Sequence, residues 1–253
     1  MSAVDPGEVL GRVRQRLARC GLNVVMPLGG RIFDEIVVSV GGTPSNDLLP
    51  GAGGVLIIGD GGPRFFEQFQ SLRASPVHGV GPARHPLDDY TRQVLNDAVT
   101  DALAPWLGTI RFRLLYPFIG AQPVLPFQRL GQAAGLPGPG PLGIQIHPVY
   151  GPWWAYRGLV VLSVSVQADE VLAASCSGCH QPCVVACPPQ AVTTAGWSYR
   201  LCIAHRRSAP GCQESCAARG ACPVGLDFRY SNQQLAFHMR ASLGPTPPPS
   251  EST

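Results

Sequence analysis

The sequence predicts a layered α/β core followed by a small cysteine-rich module, and three observations carry that expectation. Segments of helical and strand periodicity alternate to about residue 168, the pattern of helices packed on a sheet. From Ser175 to Gly225 that periodicity gives way to short Cys- and Pro-rich turns. Eight of the nine cysteines lie inside this stretch, which needs something other than an apolar core to hold it together. The 253 residues are 45% hydrophobic and only 14% charged, a globular composition. That length suits one large domain or a core carrying a small module.

The elements follow in order. Val9, Leu10, Val13, Leu17 and Ala18 recur at helical spacing, predicting an opening amphipathic helix over residues 7–20. Ile36–Val40 and Val55–Ile58 read as strands. The second runs into Gly59-Asp60-Gly61-Gly62-Pro63 and then a helical stretch, Arg64–Ser71. A glycine turn opening a helix can cradle a phosphate. These glycines match neither a dinucleotide fingerprint nor a P-loop, so a plain strand–helix turn is expected. Residues 86–104 predict a helix with Leu87, Tyr90, Val94, Leu95, Ala98 and Ala102 on one face. Ile110–Leu115 reads as a strand, and Val124–Ala134 as a helix ending at Gly135. The stiff loop Leu136–Leu142 precedes two further strands, Gly143–His147 and Leu159–Val166, joined by an aromatic turn. GPTPPPSEST at the C-terminus reads as a disordered tail.

Charge and hydropathy exclude several function classes. The net charge of +3 is too small to argue for nucleic acid, and no Arg-rich stripe interleaves with aromatics. All 19 basic residues are arginine, which fits a GC-rich coding bias. No apolar run reaches the about 18 residues of a membrane span, and MSAVDPGEVLGRVRQRLARCG lacks the order of a signal peptide. A soluble, cytoplasmic protein without a membrane partner is expected. In that reducing compartment clustered cysteines point to metal rather than disulfides.

The cysteines form two groups. Cys176, Cys179, Cys183 and Cys187 sit in CSGCHQPCVVACPP, one residue away from the ferredoxin run C-x2-C-x2-C-x3-C-P. Cys202, Cys212, Cys216 and Cys222 form the second group, again closed by Cys-Pro. A cubane needs several thiolates converging on one small object, and a tight loop supplies them. The cysteine before proline is expected to start a helix aimed at a second cluster. Two 4Fe-4S clusters with exchanged fourth ligands follow: Cys176, Cys179, Cys183 and Cys222 on one, Cys202, Cys212, Cys216 and Cys187 on the other. The rival is a pair of four-cysteine zinc sites. Zinc ribbons favour paired C-x2-C units, of which only Cys176 and Cys179 form one, and have no use for Cys-Pro endings. Cys20 reads as a buried apolar residue. His180 and His205 lie in the cluster segment, where eight cysteines already suffice.

Ile146, His147, Pro148, Tyr150, Gly151, Trp153, Trp154, Ala155, Arg157 and Gly158 form a stretch that resembles the eukaryotic cobalamin-processing chaperone (decyanase/dealkylase) family. Arg229–Met239 is similar to that family's closing helix. Gln122–Leu136 resembles epoxyqueuosine reductase, a cobalamin enzyme with a two-cluster ferredoxin module after its core. These families and the reductive dehalogenases imply fold class α+β: a nitroreductase-like core that buries cobalamin, with a C-terminal ferredoxin-like 4Fe-4S module. The implied domains are residues 1–170, 171–228, and 229–253 for the closing helix and tail. The resemblance also marks a departure, since Ile119-Gly120-Ala121-Gln122-Pro123 holds no carboxylate where epoxyqueuosine reductase has its general acid.

An iron–sulfur, cobalamin-dependent oxidoreductase is therefore expected, with clusters passing electrons to a base-off corrinoid. Candidate corrinoid contacts are Phe118, Gln122, Gln145, His147, Tyr150, Trp153, Trp154 and Arg157, although the aromatics also read as plain core. No catalytic residue stands out. Reduced ferredoxin or flavodoxin is the expected donor, and a tRNA substrate, as in epoxyqueuosine reductase, is the one route to nucleic acid. A non-catalytic cobalamin chaperone and an FMN-linked electron-transfer protein remain as alternatives.

Overall fold

The computed structural model describes residues 4–73, 85–118, 123–169 and 176–243. It divides into two compact units: residues 1–138 with 154–174, and residues 139–153 with 175–253. The stretch 139–153, which the sequence division assigns to the core, groups by contact with the cysteine segment.

The first unit opens on α1 (Pro6–Arg19), capped by the Asp5 carboxylate accepting from Gly7 N–H at 2.9 Å, with Pro6 in the first turn. Its buried stripe is Val9, Val13 and Leu17. The next elements are β1 (Val24–Gly29), α2 (Gly30–Val38) and α3 (Ser45–Leu48). The expected strand at 36–40 is thus mostly helix. Ile36, Val37 and Val38 are β-branched, but Gly30, Phe33 and Val37 fall on one buried helical face, and that burial overrides the local preference. The helix stops where Gly42 N–H bonds back to Val37 O at 2.8 Å.

β2 (Gly54–Gly61) is buried along its whole length, as expected for a central strand written as a continuous apolar run. It leads to α4 (Arg64–Arg73). α5 (Pro86–Leu103), β3 (Phe112–Leu115), α6 (Phe127–Ala133) and β4 (Trp154–Leu162) complete the unit. The four strands form one sheet of order β1-β2-β4-β3 in which every pair is antiparallel. The strand expected at 159–166 begins earlier, at Trp154, because the second half of the aromatic turn pairs with Gly59–Gly61. Val55–Ile58 and Leu159–Leu162 are fully buried and form the heart of the core. α1 packs on α5, where Arg12 Nε donates to Ala102 O at 2.8 Å. Cys20, just after α1, is half-buried rather than buried.

The second unit has little regular structure. Residues 143–147 form no strand: the chain makes a tight turn in which His147 and Gly151 exchange backbone hydrogen bonds of 2.9 and 2.7 Å. Gly143 at φ +74 and Pro148 break any extended run. Short elements follow: α7 (Pro182–Val185), β5 (Val192–Thr193) paired with β6 (Gly196–Trp197), α8 (Tyr199–Ser208), α9 (Pro210–Glu214), α10 (Ala217–Gly220) and α11 (Asn232–Ala241). α7 packs on α10, and α9 packs on α8 and α11. The small core is Cys183, Cys187, Ala191, Val192 and Ala218, with Leu142, Cys202 and Cys216 against it. Cysteines of both sequence groups therefore share one interior. The Pro-rich tail at 244–253 lies outside the described residues. No helix among those described is long and apolar enough to cross a membrane.

Candidate metal centre

The thiols are positioned by turns. Cys176 opens a turn that reaches Cys179, whose sulfur accepts from Gln181 N–H at 3.4 Å. Gln181 takes a left-handed φ of 52 and leads into α7, which carries Cys183 in its first turn. Neither Cys187 nor Cys222 starts a helix, contrary to expectation. Pro188 and Pro223 lead into turns instead.

Gly151 and Gly225 hold the stretch after Cys222 in place. At Gly151 (φ +59) a Cβ would lie 2.0 Å from Val224 O, and at Gly225 (φ +72) one would lie 2.3 Å from Tyr150 O. Only glycine allows this backbone-to-backbone crossing.

The thiols fall into two rings. Cys176, Cys179, Cys183 and Cys222 line a single cavity with Pro141, Leu142, Ile146, Pro182, Pro223 and Val224 among its walls. Burial pushes the Cys176 thiol up, and the neighbouring Cys222, Cys179 and Cys183 add to the rise. Burial likewise raises Cys183, with Cys222 beside it, and Cys222 itself. In the other ring burial raises Cys212 and Cys216, and both feel Cys202 and Cys187 as close neighbours. Cys187 thus stands with the second sequence group, and Cys222 with the first.

All nine cysteines are free thiols. Among the described residues no three His, Cys, Asp or Glu side chains converge closely enough to hold a single metal ion. Four soft sulfur donors around a largely apolar hollow suit iron–sulfur or zinc chemistry and no hard cation. His180 is exposed and His205 half-buried.

The candidate corrinoid contacts are divided between the units. Phe118, Trp154 and Arg157 belong to the first. Phe118 is half-buried with the Arg92 guanidinium 5.3 Å over its ring. Trp154 is 6% exposed and meets Tyr156 edge-on at 4.6 Å. Arg157 Nε donates to Asp60 Oδ1 at 2.5 Å, and its guanidinium lies 5.3 Å over Phe65. Gln145, His147, Tyr150 and Trp153 belong to the second unit. Gln145 and Trp153 are each 2% exposed, and Tyr150 packs against His147 and Phe228. His147 Nδ1 accepts from the backbone N–H groups of Val149 and Tyr150, at 3.1 and 3.3 Å. Burial lowers its pKa to about 4, so at neutral pH the ring is neutral with its proton on Nε2. Gln122 lies outside the described residues, as do Ile119–Ala121 of the carboxylate-free segment.

Three residues of consequence escape a sequence reading. Asp60, assigned to a turn, lies inside β2 with 0% exposure and pairs with Arg157. Arg206 and Arg219 flank the second thiol ring. The available signal was a charge within an apolar or cysteine-rich stretch.

No family profile matches this sequence, and no curated protein matches it. Solved structures do. An epoxyqueuosine reductase structure aligns with a TM-score of 0.59 at 14% identity, over 92% of this chain and 70% of that one. The epoxyqueuosine reductase of Streptococcus thermophilus aligns at 0.53 and 13%, over 87% of this chain. This chain spans 66% of that protein's length. The B12-trafficking protein CblC of C. elegans aligns at 0.52 and 15%, over 92% of this chain and 91% of that one. At such identities the likeness establishes a shared mixed α/β fold.

Proposed function

We propose that this chain is an iron–sulfur oxidoreductase that carries electrons through two 4Fe-4S clusters to a corrinoid. The observation that carries the proposal is the pair of four-thiol rings, each completed by a Cys-Pro cysteine from the other sequence group. Cys176, Cys179, Cys183 and Cys222 would hold one cluster, and Cys187, Cys202, Cys212 and Cys216 the other. Bound clusters supply one-electron transfer at low potential. The chain supplies the rest: α7 and the turn at Gly151–Gly225 set the thiols, and Pro141, Leu142, Ile146 and Val224 give the first ring an apolar lining. A zinc ribbon would pair C-x2-C units around one tetrahedron, whereas the two Cys-Pro-closed groups follow the ferredoxin pattern, which supports clusters over zinc.

The corrinoid part rests on the fold shared with epoxyqueuosine reductase and CblC and on residues 146–158. His147 adds one constraint. Its Nδ1 accepts from two backbone N–H groups, so that nitrogen would not be available to hold a metal. A reduced ferredoxin or flavodoxin would feed the clusters. A second reading has its own support: CblC is matched over nearly the full length of both chains, which favours cobalamin handling without turnover on a further substrate.

Anaerobic purification and reconstitution should give about eight iron and eight sulfide per chain. Stoichiometric zinc without acid-labile sulfide overturns the cluster reading. Added cob(II)alamin should show the optical and electron paramagnetic signature of the base-off form. Co-purifying flavin with no cobalamin binding overturns the corrinoid reading. Turnover of cobalamin or of a small substrate by reduced protein separates enzyme from chaperone.

A further inference from the structure

The two thiol rings sit in different electrostatic settings. The ring closed by Cys222 is walled by apolar residues, and the cation that acts on it, Arg229, is exposed. The other ring has two arginines packed against it. Arg206 is 5% exposed. Its Nε donates to Cys212 O at 3.0 Å, its Nη1 to Ser242 Oγ at 3.2 Å, and its Nη2 to Met239 O. The backbone N–H of Arg219 donates to Cys216 Sγ at 3.4 Å. Its guanidinium lies 5.1 Å over Trp153 and 4.9 Å over Tyr230, and donates through Nη2 to Pro152 O. Arg219 Nε is buried and has no hydrogen-bond partner among the described residues. Among those residues neither arginine pairs with a carboxylate.

Arg206 is a buried guanidinium, and Arg219 is half-buried with its Nε buried; a buried cationic group without a counter-anion is costly. The negative groups beside Arg206 and Arg219 are the thiolates of Cys212 and Cys216 once they ligate metal. A cluster held by four thiolates carries net negative charge, and one-electron reduction adds to it. Two cations beside the cluster, Arg206 buried and Arg219 half-buried, favour the more negative state and so raise the reduction potential.

We propose that Arg206 and Arg219 make the ring of Cys187, Cys202, Cys212 and Cys216 the higher-potential member of the pair. An electron accepted by the chain then settles there in preference to the ring closed by Cys222. The inference rests on the two-cluster reading above, and its test separates the two.

Full-length reconstituted wild type and the variants Arg206→Gln, Arg219→Gln and Arg219→Lys are titrated potentiometrically with dithionite, read by electron paramagnetic resonance. Iron and sulfide are counted in each. Wild type should show two one-electron steps. In Arg219→Gln the upper step should fall far enough to change the reduced-to-oxidised ratio about tenfold at fixed potential, about 59 mV for one electron. The lower step should stay. Arg219→Lys keeps the charge and should move the upper step less, and Cys222→Ala should remove the lower step. Fewer than two clusters in wild type overturns the two-cluster reading and this inference with it. Two full clusters with an unmoved upper step in Arg219→Gln, or with the lower step moving instead, overturn the inference alone. Should Arg206→Gln fail to fold, the Arg219 pair decides.

Discussion

Replacing Asp60 by alanine should cost the first unit about 3–5 kcal/mol, the range for leaving one member of a buried ion pair uncompensated. The carboxylate has 0% exposure and Arg157 7%, so water reaches neither charge to replace the lost partner. The Arg157 guanidinium would lose its buried carboxylate while its stacking over Phe65 remained. The pair also spans β2 and β4 beside the register shift between Ile58 and Gly59, where the ladder has least to hold it. At about 2–4 °C per kcal/mol for a chain of this size, the melting temperature should drop by about 10 °C. Asp60→Asn keeps an acceptor for Arg157 Nε and should lose less. The double variant Asp60→Leu/Arg157→Met removes both charges and should be more stable than Asp60→Ala, because no orphan remains. Denaturant unfolding of the four proteins measures these differences. A loss below about 1 kcal/mol for Asp60→Ala, or a double variant weaker than the single, refutes the argument. The result bears on function too: loss of corrinoid binding in Arg157→Ala counts as a contact effect only after this stability loss is subtracted.

Other outcomes follow from the second unit. Cys183→Ala and Cys222→Ala should remove the same cluster and Cys187→Ala the other, as read by electron paramagnetic resonance; loss of different clusters in the first two refutes the exchanged pairing. His147 has a pKa lowered to about 4 against an unfolded value near 6.5. Its contribution is therefore present above pH about 6.5 and lost as pH falls toward 4, by about 3 kcal/mol. His147→Gln should flatten that part of the stability profile between pH 7 and 4, and an unchanged slope refutes it. Gly151→Ala sets a Cβ 2.0 Å from Val224 O at a left-handed φ. It should destabilise the unit by more than about 2 kcal/mol and lower iron loading; full loading at wild-type stability refutes the crossing.

Spacing along the chain was enough to determine much of this protein. The stripe of α1, the continuous apolar run of β2 and the spacing in α4 and α5 are local signals, and each element forms where its periodicity places it. The two Cys-Pro-closed groups are equally local, because ligand spacing in a tight loop is set by backbone reach. Tertiary structure decided what depends on distant partners. Ile36–Val38 became helix because Phe33 and Val37 had a core to face. Trp154–Tyr156 became strand because Gly59–Gly61 lay alongside to pair with them. Residues 139–153 joined the cysteine segment through Gly151 against Val224, a contact between positions more than seventy residues apart. Asp60 found Arg157 across the sheet, and Arg206 and Arg219 came to flank one thiol ring. A charge announces its presence in a sequence but not its partner, since the partner is chosen by register and packing.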